Sequence, residues 1–212
     1  MHPLPRPLPG YREREAARRT PWLTLIVALI ASAGITIPSA GPALEYDRDL
    51  LAAGQLWRIA TCHFAHFTAE HFGWCMLATI VLGGACEMLN RRLFLVASVC
   101  SILLIPVALF EFEPDVHSYR GLSGVASTLF VLLLFEVLRR RLRERAWVPC
   151  AAAAALGVSF VAKILLEMSF GVTVFVGNAN RAFDPVPVAH LCGVVVAALA
   201  LGWSVVRGAP RR

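Results

Sequence analysis

The chain has 212 residues, of which 58% are hydrophobic and 16% charged, with a mean hydropathy of +0.65. Soluble globular chains carry about one quarter charged residues, so this composition excludes an ordinary soluble domain. The net charge of +6 invites a nucleic-acid reading, but the arginines cluster at the ends of apolar runs and leave no folded basic face for phosphate.

Residues 1–21 are rich in Pro and Arg, lack an apolar period, and read as a disordered, basic, cytosolic leader. A membrane domain is expected over residues 22–206, with a short basic cytoplasmic tail over 207–212. Crossing about 30 Å of hydrocarbon takes roughly 20 apolar residues at about 1.5 Å each. The first such run, from Trp22 to about Ile37, has the basic flank of a signal peptide; with further runs following, it reads as an uncleaved helix. The second runs from about Glu70 to Met88, the third from Leu93 to Phe110 and the fourth from Leu122 to Leu138. The fifth covers Trp147 to Leu166, and the sixth starts near Pro187, well placed at a helix start, and ends near Val206. The expected fold class is therefore an all-α membrane protein, a bundle of six transmembrane helices.

Arginine placement sets the orientation. Arg6, Arg12, Arg14, Arg18, Arg19, Arg91, Arg92, Arg139, Arg140, Arg141, Arg143, Arg145, Arg207, Arg211 and Arg212 fall on one side, and Arg48, Arg58, Arg120 and Arg181 on the other. By the positive-inside rule both termini are cytoplasmic. The six cysteines are spread through the chain, mostly inside apolar runs, and read as small hydrophobes rather than a disulfide framework.

Polar groups at membrane depth are costly and default to functional hypotheses. Ser123 lies 16 residues above Arg139 and His190 lies 17 above Arg207. At about 1.5 Å per residue both are about 24–25 Å from the cytoplasmic arginines, so two polar residues on different helices share a level. Cys75 is 16 residues above Arg91, and His71 is one turn higher on the same face, with His66 and His63 above it. Gly121, Gly124 and Ser127 flank Ser123, while Gly193 and Ala197 accompany His190. Small residues on facing helices allow close approach, which a hydroxyl and an imidazole on separate helices need.

These residues resemble the rhomboid intramembrane serine proteases. Gly121-Leu122-Ser123-Gly124 is similar to the family's GxSG motif, Ala189-His190 with Gly193 to its AHxxG signature, and His66 with His71 to its paired histidines. Leu82-Gly83-Gly84-Ala85-Cys86-Glu87 is similar to the segment that ends the family's second helix. The short leader and the WR…CHFAHF…EHF segment resemble the rhombosortase branch most, which implies a bacterial inner membrane and substrates with C-terminal Gly-Gly-type anchors. The resemblance implies Ser123 as nucleophile, His190 as general base without a third acidic member, and an oxyanion site served by backbone amides near Ser123, His71 and Cys75. It implies a membrane-anchored protein as substrate, the lipid bilayer as surroundings, and no metal or other cofactor. Two departures stand out. Cys75 occupies the place of the family's usual Asn, a weak donor instead of a good one. Ser127 replaces an aromatic one turn after the nucleophile.

The alternative is a catalytically impaired rhomboid-like membrane chaperone or binding protein, supported by Cys75 and Ser127. A metal site from Cys62, His63, His66 and His71 lacks HExxH, and a proton-coupled transporter lacks an internal repeat. Lys163 and Glu167 on the fifth span read as a pair snorkelling at the outer interface, or as part of a movable wall. Glu87 reads as a helix-end partner, Arg58 as an interfacial anchor and His117 as solvated. A hydrated cavity opening outward above Ser123 is expected.

Overall fold

The computed structural model describes residues 20–37, 39–174 and 186–208. Nearly all of the leader (1–19), Arg181 and the tail from residue 209 onward lie outside the described residues.

Helix α1, Trp22–Thr36, follows Pro21, which supplies no side-chain cap. Its orphan first-turn amides are instead satisfied from another helix: Glu87 accepts from the backbone N–H of Leu23 at 3.2 Å and of Thr24 at 2.8 Å. Thr24 Oγ1 (2.9 Å) and Arg91 (2.9 Å) also donate to this carboxylate. Glu87 is thus the helix-end partner the sequence suggests, with its negative charge at the positive end of α1.

The segment after α1 forms short elements: α2 (Ala40–Leu44), β1 (Tyr46–Asp47), α3 (Arg48–Ala52), α4 (Arg58–Thr61) and a 3₁₀ turn, Cys62–Phe64. Asp47 caps α3 by accepting from Leu50 N–H at 3.0 Å. β1 pairs antiparallel with β2 (Ser118–Tyr119), Tyr46 opposite Tyr119. Arg58 corrects an expectation here. It is buried rather than an interfacial anchor, donating to Gln55 Oε1 and to the carbonyls of Pro42 and Glu45, and so ties the loop together.

Helix α5, Ala69–Ala78, is capped by Thr68, whose hydroxyl accepts from His71 N–H at 3.0 Å. It continues through a π turn, Thr79–Gly83, into α6, Gly84–Phe112. Asn90 breaks α6 with φ −153° and ψ 85°, and its side chain accepts from Leu93 N–H as a fresh N-cap. α7 (Ser123–Arg143), α8 (Trp147–Phe170) and α9 (Pro187–Gly208) complete the chain.

The helical segments run between two ends. At one, Thr24 meets Glu87 and the Arg92 guanidinium lies over the Trp203 ring. At the other, Gly34 packs on the Phe64 carbonyl, Arg48 donates to the Phe110 carbonyl at 2.7 Å, and Lys163 meets His190. Among the described residues, Ala69–Phe112, Trp147–Phe170 and Pro187–Ser204 are long and apolar enough to cross a membrane, and Trp22–Thr36 is a shorter apolar helix. The first of these has 44 residues, about twice the length that spans a bilayer, and Asn90 divides it. Helix α7 falls outside the set because Glu136 and its arginines crowd its last turns. The molecule is a bundle of apolar helices.

Candidate active site

Ser123 is the first residue of α7. The turn that delivers it depends on Gly121, whose φ of +116° disfavours any side chain. A methyl group there would also lie 2.7 Å from His71 Cε1 and 2.8 Å from its Nε2. Gly121 N–H donates to the Cys62 carbonyl at 3.0 Å, and its own carbonyl accepts from the Tyr119 hydroxyl at 3.1 Å. His63 Nδ1 lies 3.3 Å from that same carbonyl. The strand, the 3₁₀ turn and the histidine-bearing helix therefore converge on one peptide unit next to Ser123.

The joint between α7 and α9 uses small residues. A Cβ at Gly193 would collide with the Gly124 carbonyl oxygen, and one at Gly124 would lie 2.9 Å from the Ala189 carbonyl oxygen. Thr128 Oγ1 donates to the Gly193 carbonyl at 3.0 Å and shares a 2.7 Å hydrogen bond with Ser101. Ala197 is fully buried in the same seam. Ser127 Oγ turns back to the Ser123 carbonyl at 2.9 Å.

Ser123 and His190 line one cavity of about 360 Å³ together with His71, Cys75 and Ser127. Tyr119, Arg120 and Thr173 carry that cavity into the outer segment. His66 stands behind it, its ring edge-on to His71 with centroids 5.3 Å apart. The Cys75 sulfur sits against the backbone amides of Leu122 and Ser123. These amides belong to the first turn of a helix, where they have no intrahelical acceptor and can receive a developing oxyanion.

A family model described as the Rhomboid domain matches residues 53–208. The chain belongs to the rhomboid family. Rhomboids are intramembrane serine proteases, and their substrates are membrane proteins in the lipid bilayer. A search of curated proteins gives no match.

Two features of this rhomboid depart from expectation. No hydrogen bond joins Ser123 to His190 among the described residues; the Ser123 side chain lies near the Tyr119 hydroxyl, which donates to the Gly121 carbonyl. The imidazole has other company. Lys163 Nζ lies 2.9 Å from His190 Nδ1 and 3.4 Å from its Nε2, and Glu167 Oε2 lies 3.2 Å from Nδ1 and 2.7 Å from Lys163 Nζ. The Glu167 side chain is 3% exposed and that of Lys163 13%. This overturns the snorkelling picture: the pair faces the cavity, not the outer interface, because the rotation of α8 turns both residues toward α9. Their i,i+4 spacing marks them as a helix pair in the sequence; their orientation is not legible there. The His190 site also has an acidic neighbour, where a two-residue arrangement was expected.

Proposed function

We propose that this rhomboid is an active intramembrane serine endopeptidase with Ser123 as nucleophile and His190 as general base. The carrying observation is that both residues line one cavity, on helices locked together by Gly124 and Gly193. Catalytic hydrogen bonds commonly tighten only once substrate is bound, and the shared cavity lets the Ser123 hydroxyl approach His190 at that stage.

In the first half-reaction Ser123 Oγ attacks the scissile carbonyl carbon, its proton passing to His190. The oxyanion receives the amides of Leu122 and Ser123, with His71 as a side-chain donor and Cys75 as a feeble one. The C–N bond then breaks, His190 returns the proton to the leaving amine, and an acyl ester remains on Ser123. Water attacks that ester, giving a proton to His190, which passes it back to Ser123 Oγ as the acid product leaves.

The supporting features extend to topology and substrate. Arg91, Arg92 and Arg139 to Arg145 gather at the end of the bundle opposite the cavity, which supports six passes, both termini in the cytoplasm and a site near the outer face. The largely apolar cavity suits a membrane anchor. Resemblance to rhombosortases supports C-terminal Gly-Gly-type anchors as substrates and a bacterial inner membrane as the location.

The test is labelling of the detergent-solubilised full chain with a fluorophosphonate, in which Ser123 displaces fluoride. Wild type labels, and Ser123→Ala and His190→Ala do not. Equal labelling of wild type and Ser123→Ala sinks the reading. The resting Ser123–Tyr119 contact and the Cys75 substitution favour one rival, a catalytically impaired membrane chaperone or binding protein, which that result would establish instead.

A further inference from the structure

Burying a carboxylate and an ammonium at membrane depth is expensive unless each is compensated. Helix α8 nevertheless places both against the His190 imidazole. Glu167 is held from two directions. Its Oε1 accepts from the Val174 backbone N–H at 3.3 Å, and its Oε2 lies between Lys163 Nζ and His190 Nδ1. Gly171, at φ +60°, ends α8 in the left-handed conformation, and the chain folds back so that Val174 reaches the carboxylate. Neither approach to Oε2 is aligned as a full hydrogen bond: the contact with Lys163 is a close ion pair, and that with His190 becomes one when the imidazole takes a proton.

We infer that Glu167 is a positioning residue for His190, orienting its ring and offsetting the positive charge the imidazole gains when it takes the Ser123 proton, with Lys163 holding Glu167 in place. The inference rests on Ser123 and His190 being the reactive pair. The chemistry is that of an acid–base–nucleophile relay: a carboxylate accepting from Nδ1–H leaves Nε2, which Lys163 Nζ approaches only at 3.4 Å, to take the serine proton, and stabilises the imidazolium without itself taking the proton. Lys163 neutralises the carboxylate in the resting state, which makes its burial tolerable. Among the described residues, the other titratable groups facing this cluster across the cavity are His71 and Cys75 from α5, and Tyr119 and Arg120 from the β2 segment.

A merely structural ion pair between α8 and α9 would serve equally well to staple the helices, and the two roles separate experimentally. Fluorophosphonate labelling rates are measured against pH for wild type, Glu167→Gln and the charge-balanced double variant Lys163→Met/Glu167→Gln, with thermal melting of each full-length protein in the same detergent. The inference expects Glu167→Gln to label about 10²-fold more slowly, in the range of general-base effects, with the acidic limb of the pH profile displaced toward lower pH. The double variant, which removes the neighbouring ammonium together with the carboxylate, melts near wild type and returns the limb toward wild type, yet stays slow. Recovery of the wild-type rate in the double variant overturns the inference and leaves a staple. So does a folded Glu167→Gln that labels like wild type. Ser123→Ala in the same assay keeps the two readings apart: if it labels like wild type, the serine assignment has failed, not the role of Glu167.

Discussion

The two walls of the cavity are built on opposite principles. The wall made by α7 and α9 is a close joint in which Gly193 stands against the Gly124 carbonyl, Thr128 bridges to Gly193 and Ser101, and Gly124 to Leu129 are buried without interruption. Helix α8, the other wall, buries only Cys150, Ala153, Ile164 and Glu167, while Val148, Val158 and Phe170 are 82%, 70% and 70% exposed. In a bilayer those exposed side chains meet lipid, which holds a helix far less specifically than interlocked side chains do. On the proposed function, the tight joint sets the spacing of Ser123 and His190, and the lightly held helix governs access to them. Lys163 and Glu167 cross this division, since they belong to the loose wall yet touch His190 on the tight one.

The largest effect tests whether the tight wall carries the chemistry. Ser123→Ala is expected to abolish fluorophosphonate labelling, a loss of at least about 10³-fold. Next comes the joint itself. Gly193→Val forces a branched side chain into the Gly124 backbone and Ser127, and overpacking of this kind costs about 1–3 kcal/mol. Because the strain falls between Ser123 and His190, the labelling rate should drop about 10²-fold, as misplacement by about 1 Å can do, while the melting temperature falls. Were Gly193→Val to melt lower with an unchanged rate, the joint would be a packing feature alone, and the contrast between the walls would lose its functional meaning.

Much of this site is legible from residue counts because a helix is a rod of fixed rise: distance along the chain from the arginines converts directly into depth. Depth alone brings Ser123, His190, Cys75 and His71 to one level, and one cavity holds them all. Rotation about the helix axis is what counting does not supply. Lys163 and Glu167 sit near the outer end of α8, where a lipid-facing pair would snorkel, and only the packing of α8 on α9 turns them inward. Loops are harder still. Arg58 has the charge of an interfacial anchor, but its three acceptors come from a turn with no period to reveal it. Helix ends blur for a related reason: α5 passes through a π turn into α6 without a break in apolar character, and the true interruption, at Asn90, is set by a side-chain cap.

Cys75, on α5 against the start of α7, sharpens the comparison beside the tight wall. Its sulfur lies against the amides of Leu122 and Ser123, where a good donor would add to the oxyanion site. Losing one such donor costs about 10²–10³ in rate, so Cys75→Asn should accelerate labelling, by about tenfold once imperfect fit is allowed for. No acceleration in a folded variant would mean that the amides and His71 already saturate the need for donors.

The smallest effect belongs to the loose wall. Phe160 of α8 packs on Phe130 of α7 with ring centroids 4.8 Å apart, and both rings line the cavity. An aromatic pair of this kind contributes about 0.5–1.5 kcal/mol beyond its buried area, a large share of what holds so sparsely packed a helix. Phe160→Ala should therefore favour outward displacement of α8 and raise labelling by a bulky fluorophosphonate about threefold, leaving labelling by a small one within experimental scatter. The size dependence is the decisive part. A reacting pair disturbed by the substitution would slow both probes alike, whereas a lightly held wall that governs only entry changes the rate for the probe that needs the room.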